Sequence, residues 1–324
     1  MARPPLFLYP EGGVFMKNVK GLSKIIGVIL LVVMVTLAVL TYWHPGARTT
    51  LNGDHPNAVN RRKVVRVVAL GDSLTQGVGD QQDKGGYTQR LQAMIHRRDK
   101  VKVIMHNYGK SGDRSDQIET RLVNSKAMQQ QVKKSQAIVM TVGGNDLLQT
   151  LTKNVTINQQ SQLNTQLENA EAAYQKKLKH LLNTVRHYNP TAPIFLYSIY
   201  NPVYVYFANI DQVTNAVDDW NTATKKTASQ YQDLHWVDIN RALSVGQFKS
   251  ATQQAKLKRS SQDINNGKIS TKTFQETILA SDASDELNNY LSPVDHFHPN
   301  AKGYRLMTRY VFQEMQAHQQ WLLK

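Results

Sequence analysis

The sequence predicts an α/β domain in which a parallel sheet of five strands carries helices on both faces. Short β-branched runs alternate along the chain with longer stretches of helical periodicity, and that alternation is the mark of a parallel sheet. The first run, Val64-Val65-Arg66-Val67-Val68-Ala69-Leu70, leads straight into Gly71-Asp72-Ser73, as a buried strand ending in a tight turn does. The strongest helical stretch, Gln162–His187, sets Leu163, Leu167, Ala170, Tyr174, Leu178, Leu181 and Val185 at three-and-four spacing on one face, a stripe expected to be core contact.

Before that domain the chain reads as an export segment. Residues 1–15 show no periodicity, whereas Met16-Lys17-Asn18-Val19-Lys20 opens like a basic n-region. Glu11-Gly12-Gly13 could be the in-frame translation of a purine-rich ribosome-binding site, so Met16 is the expected start. The basic n-region runs over 16–24. Residues 25–43 carry no charge and as a helix would span about 28 Å, one hydrocarbon core. Lys17, Lys20 and Lys24 precede this run and only Arg48 follows closely, so the N-terminus is expected inside and the remainder outside. The length of the run and the Tyr42-Trp43-His44-Pro45 that follows favour an uncleaved transmembrane anchor over a cleaved signal peptide. Residues 44–62 are polar, with Gly, Pro and Asn, as a tether should be. The expected location is therefore the cell membrane, single-pass, with the 63–324 domain extracytoplasmic.

Strand candidates follow at Val64–Leu70, Val101–Asn107, Ala137–Val142, Ile194–Tyr200 and Leu234–Asp238, with helices between them, among them Tyr87–Arg98 and Ile210–Gln230, and a last helix over Asn300–Gln320. Two segments exceed a minimal fold of this kind. Leu147–Ser161 is polar and threonine-rich, and Arg241–Leu291 is long, basic early and acidic late, with weak helical pattern at Leu243–Lys258 and Ser270–Leu279. Both adjoin chemistry-bearing loops, so each is expected to be either a lid or substrate wall or a plain surface insertion.

Composition narrows the function. The chain has 324 residues and no cysteine, which removes disulfide frameworks and thiolate metal sites. Its formal net charge of +15 comes from scattered lysines and arginines with no aromatic-interleaved basic stripe, so anionic surroundings are expected rather than a nucleic-acid partner.

Four blocks carry the chemistry: Gly71-Asp72-Ser73-Leu74-Thr75, Asn107 through Ser111-Gly112-Asp113, Gly143-Gly144-Asn145-Asp146, and Asp295-His296-Phe297-His298-Pro299-Asn300. Ser73, at the carboxyl edge of the first strand, is a candidate nucleophile. It lies outside a G-x-S-x-G elbow. His298 is the candidate base and Asp295, three residues earlier, its orienting acid. His296 competes with His298, but the D-x-x-H spacing and the following proline favour His298, leaving His296 facing solvent or substrate. His296 and His298 as a metal pair lack further ligands at recognisable spacing, so no metal and no cofactor are implied. Asp72, Asp113 and Asp146 are expected to satisfy backbone donors in their own turns.

In this order the blocks resemble the SGNH/GDSL hydrolases, over roughly residues 63 to 320. Gly71 to Asp80 with Gly85-Gly86-Tyr87 is most similar to bacterial lysophospholipase-like esterases. The resemblance implies a flavodoxin-like three-layer α/β/α sandwich and an oxyanion hole built from the Ser73 N–H, the Gly112 N–H and the Asn145 amide, with Gly109 as a rival second donor. It implies a serine esterase acting on lysophospholipid or other acyl esters through an acyl-enzyme. An O-acetylesterase acting on wall or capsule polysaccharide and a wall-associated binding protein without catalysis are the alternatives. Tyr200, Tyr204, Tyr206 and Phe207 follow the fourth strand and could line either an apolar acyl channel or a shallow polar groove for sugars.

Overall fold

A computed structural model describes residues 60–82, 85–154, 160–265 and 286–324. The n-region, the anchor at 25–43, most of the tether and the expected helix at 270–279 lie outside the described residues.

The elements in chain order are β1 (Val64–Gly71), α1 (Ser73–Gln76), α2 (Gly86–Asp99), β2 (Lys102–Gly109), α3 (Ser115–Asn124), α4 (Lys126–Lys134), β3 (Ala137–Thr141), α5 (Gly144–Lys153), α6 (Gln160–Tyr188), β4 (Ile194–Tyr197), α7 (Asp211–Ala228), β5 (Leu234–Val237), α8 (Asn240–Ser244), α9 (Ala251–Asn265) and α10 (Ala301–Ala317), closed by a 3₁₀ turn at Gln319–Leu322. The five strands form one sheet in the order β2-β1-β3-β4-β5, and every pairing is parallel. This is the flavodoxin-like order, whose ligand crevice opens at the β1/β3 switch point.

Strand alternation separates the core into two halves, because successive side chains leave the sheet on opposite faces. Val65, Val67 and Ala69 pack with Tyr87, Leu91 and Ile95 of α2 and with Tyr304, Met307 and Val311 of α10. Val68 and Leu70 point the other way, onto Ile118 and Leu122 of α3 and Leu178, Leu181 and Val185 of α6. The predicted stripe of α6 is thus core contact from Tyr174 onward, while Leu167 and Ala170 are partly buried at its edge.

Four boundaries depart from the sequence reading. Residues 60–62 already belong to the domain, since Arg62 N–H donates to Leu322 O at 2.8 Å and Lys324 N–H to Asn60 O at 2.9 Å. The polar stretch after Gly143 is helical through Lys153: it is amphipathic, with Leu147 buried and its threonine hydroxyls bonded back to carbonyls of the preceding turn. The last helix begins at Ala301 rather than Asn300, because the Asn300 side chain accepts from Lys302 N–H at 2.8 Å and Gly303 N–H at 3.1 Å and so caps α10. The aromatic residues after β4 are largely core: Tyr200, Tyr204 and Phe207 are buried, so they do not form an open pocket wall.

Gly71 is in register with Gly109 of β2 and with Thr141 of β3, so three strands end level and their three following loops share one edge. Leu178 is fully buried where α6 crosses the sheet. Leu178→Ala should cost about 2–5 kcal/mol of stability in urea unfolding, with turnover per folded molecule unchanged.

Candidate active site

Ser73 is held by the way β1 stops. Asp72 caps the single turn α1, its carboxylate accepting from Leu74 N–H at 3.0 Å. The same oxygen accepts from the Thr141 hydroxyl at 2.7 Å, and Thr141 Oγ1 lies 2.8 Å from Thr75 Oγ1, itself 2.8 Å from the Tyr87 hydroxyl. Burial pushes the Asp72 carboxyl upward, against the Thr141 and Leu74 hydrogen bonds that favour its charged form. Gly71 must be glycine here, since a Cβ would fall 2.3 Å from Thr141 Oγ1.

The C-terminal block brings its groups to Ser73. His298 Nε2 lies 2.8 Å from Ser73 Oγ, and His298 Nδ1 lies 2.7 Å from Asp295 Oδ2. The other Asp295 oxygen accepts from the backbone N–H groups of Phe297 at 3.0 Å and His298 at 2.9 Å, fixing the carboxylate from below. Burial acts to raise the Asp295 carboxyl, but the His298 ring and these N–H groups outweigh it and hold the acid below its ordinary value. The loop is closed by Ser292 N–H donating to His298 O at 2.7 Å and by the Tyr200 hydroxyl donating to Phe297 O at 2.6 Å.

The two other blocks arrive from β2 and β3. Asn145 lies in the first turn of α5, and its amide donates to Asp113 O at 2.9 Å, leaving the second amide hydrogen for another acceptor. Gly112 has φ +82° and is exposed, with open space where a Cβ would be. No described residue accepts from the N–H of Ser73 or of Gly112. Gly109 is eliminated as a donor, because its N–H is spent on Asn107 Oδ1 at 2.8 Å and its Cα is pressed onto the backbone of α1.

Asp146 does not serve its own turn: it accepts from the Ser115 N–H at 2.9 Å and hydroxyl at 2.8 Å, which ties the third block to the second. Asp113 does not serve its own turn. It pairs with Arg121, whose guanidinium also donates to Tyr108 O at 3.1 Å and Gly71 O at 3.0 Å. Arg121 therefore staples the ends of β1 and β2 to the Gly112 loop. The sequence gives no sign of this role, because an arginine in the last turn of a short amphipathic helix carries no motif.

His296 is not solvent-facing. It is 2% exposed, adopts φ +52°, and places Nδ1 2.7 Å from Glu286 Oε2 and 3.2 Å from the Tyr206 hydroxyl. A second histidine–carboxylate pair thus lies beneath the first. Glu286 was invisible as a partner because the contact depends on a turn, not on spacing.

With the geometry in place, the comparisons are direct. The model of the GDSL-like lipase/acylhydrolase family matches residues 69–306. The chain belongs to this family. It is accordingly a carboxylic ester hydrolase by class. YpmR, an uncharacterised protein of Bacillus subtilis, is 27% identical over 284 residues, 87% of this chain and 93% of its own length. The spore germination lipase LipC of Bacillus licheniformis is 37% identical over 87 residues, 27% of this chain and 41% of its own length. The crystal structure of the lipase Lip_vut3 from a goat rumen metagenome has a TM-score of 0.55 at 22% identity, covering 77% of this chain and 97% of that one, which shows a shared fold.

One glycine in this family member sets the position of the histidine. Gly79 has φ +86°, and a Cβ there would come 2.9 Å from His298 Cβ and 2.8 Å from Pro299 O. Gly79→Ala should push the imidazole away from Ser73 and lower kcat on the order of a hundredfold, the usual cost of misplacing a reacting group by about 1 Å. Stopped-time ester assays beside a thermal melt would check it; near-normal kcat in a folded Gly79→Ala enzyme would remove this contact from the account.

Proposed function

We propose that the chain is a membrane-anchored, extracytoplasmic serine esterase that hydrolyses lysophospholipids or other acyl esters through an acyl-enzyme. The observation that carries this reading is the unbroken relay from Asp295 through His298 to Ser73, with both links under 3 Å.

In this reading Ser73 Oγ attacks the ester carbonyl carbon while its proton passes to His298 Nε2. Asp295 holds the ring with Nδ1 protonated and stabilises the imidazolium that forms. Negative charge gathers on the former carbonyl oxygen, which the Ser73 N–H, the Gly112 N–H and the free amide hydrogen of Asn145 receive. The intermediate collapses, the alcohol leaves with the proton from His298, and Ser73 is left acylated. Water then repeats the sequence, giving its proton to His298 and releasing the acid.

The anchor rests on the uncharged run at 25–43 and the lysines before it; among the described residues no helix is long and apolar enough to cross a membrane. A catalytic domain tethered by 44–59 would work close to the outer leaflet, where acyl esters are concentrated. The lipase name of one relative is consistent with that substrate class.

A fluorophosphonate should label wild-type enzyme at Ser73 and leave Ser73→Ala unlabelled, and rates across p-nitrophenyl esters and lysophospholipids should rise with acyl length. Persistent labelling of Ser73→Ala overturns the nucleophile, and a preference for acetylated sugars over every acyl ester overturns the substrate class. Protease added to intact protoplasts should release the domain and leave a small membrane fragment.

Asn145→Ala should lower kcat on the order of 10²- to 10³-fold with little change in KM, because the bond strengthens as charge develops. Asn145→Asp should be at least as damaging, since it sets a carboxylate where an oxyanion must form. A loss of melting temperature with unchanged kcat would instead make Asn145 structural.

A further inference from the structure

At the far edge of the sheet two histidines and a glutamate converge without any part in the reading above. His235 lies in β5, and Glu314 and His318 lie one turn apart at the end of α10. Each offers one ligand atom, a ring nitrogen or a carboxylate oxygen, and the three atoms lie within 4.8 Å of one another. All three residues are partly buried.

We propose that His235, Glu314 and His318 form a binding site for a divalent transition metal, zinc being the ion their chemistry fits best. Two imidazoles and one carboxylate, with a water completing the set, are a donor combination that zinc takes in tetrahedral geometry. Ligands about 2.0–2.1 Å from the ion stand about 3.3 Å apart at the corners of such a tetrahedron. His318 Nε2 and Glu314 Oε1 are already 3.3 Å apart. His235, whose ring stacks on that of His318 with centroids 3.7 Å apart and planes 20° from parallel, completes the triangle by rotating about its side-chain bonds to turn a ring nitrogen toward the ion.

The place in the fold makes this ion structural rather than catalytic. His235 is paired with Phe195, Phe195 with Val139 and Val139 with Ala69, so it sits three strands from β1 and level with a residue four before Ser73. At about 4.8 Å per strand, that alone is about 14 Å from the serine. The tail beyond His318 is different: it buries Trp321 and Leu322, and Leu322 O accepts from Arg62 N–H at the entrance to β1. A metal bridging β5 to the last turn of α10 would clip this closing segment to the sheet.

The test is isothermal titration of zinc chloride into the full-length, untagged chain in detergent after chelation. One equivalent should bind with a Kd of 10 µM or tighter, on the order of a structural clip rather than an exposed pair of side chains, and the melting temperature should rise. His235→Asn, His318→Asn and Glu314→Gln should each weaken binding at least tenfold and cancel the thermal shift, with ester hydrolysis left within twofold. Absence of a stoichiometric site, or equal uptake by the His235→Asn/His318→Asn double variant, overturns the proposal. Should the asparagine variants not fold, X-ray absorption on the zinc-loaded wild type decides: two imidazoles with oxygen ligands support the site, and fewer imidazoles overturn it.

Discussion

The buried bond between the Thr141 hydroxyl and the Asp72 carboxylate is the constraint on which the rest of the site depends. It joins the ends of β1 and β3 at the point where strand order reverses, and it is possible only because Gly71 lets the two backbones close on each other. Asp72 in turn caps the short turn that begins with Ser73, so the position of one hydroxyl is set by the sheet itself. A carboxylate this deeply buried is costly unless its oxygens are bonded. Thr141 and the Leu74 N–H meet that need at Oδ1, and Thr75 and Tyr87 extend the network toward α2.

Around that fixed point the loops are tied to one another more than to their own elements. Arg121 reaches from α3 to the last carbonyls of β1 and β2 and to Asp113. Asn145 holds Asp113 from the third strand, and Asp146 holds Ser115. The groups proposed as oxyanion donors therefore cannot drift independently, which is the preorganisation that electrostatic catalysis requires.

The histidine loop follows a different plan. His296 pays for a left-handed backbone, about 1–2 kcal/mol for a residue with a Cβ, and its ring is received by Glu286 and Tyr206. Glu286 stands at the end of the long excursion after β5. The ends of that excursion are stitched together, Asn288 donating to Leu243 O at 2.7 Å and Gln247 to Leu287 O at 2.7 Å. Between the Glu286–His296 contact and this stitching, the described ends of the insertion support the loop that carries Asp295 and His298.

The α/β class, the five strands, the core stripe of α6 and the four chemistry-bearing blocks were all legible in the sequence. Each is written in local order: β-branched runs, three-and-four spacing, and Gly-Asp-Ser or D-x-x-H within a single turn. What the sequence by itself determined was which residue types stand at the strand ends. Only the tertiary structure decided which of them meet. It turned the ring of His298 onto Ser73 and that of His296 onto Glu286, spent Gly109 on Asn107 while leaving Gly112 open, buried the aromatic residues after β4, and made Arg121 a staple. These outcomes follow from backbone direction and from contacts that range from neighbours within one turn to residues 225 positions apart, and the periodicity of a strand or helix carries no information about either.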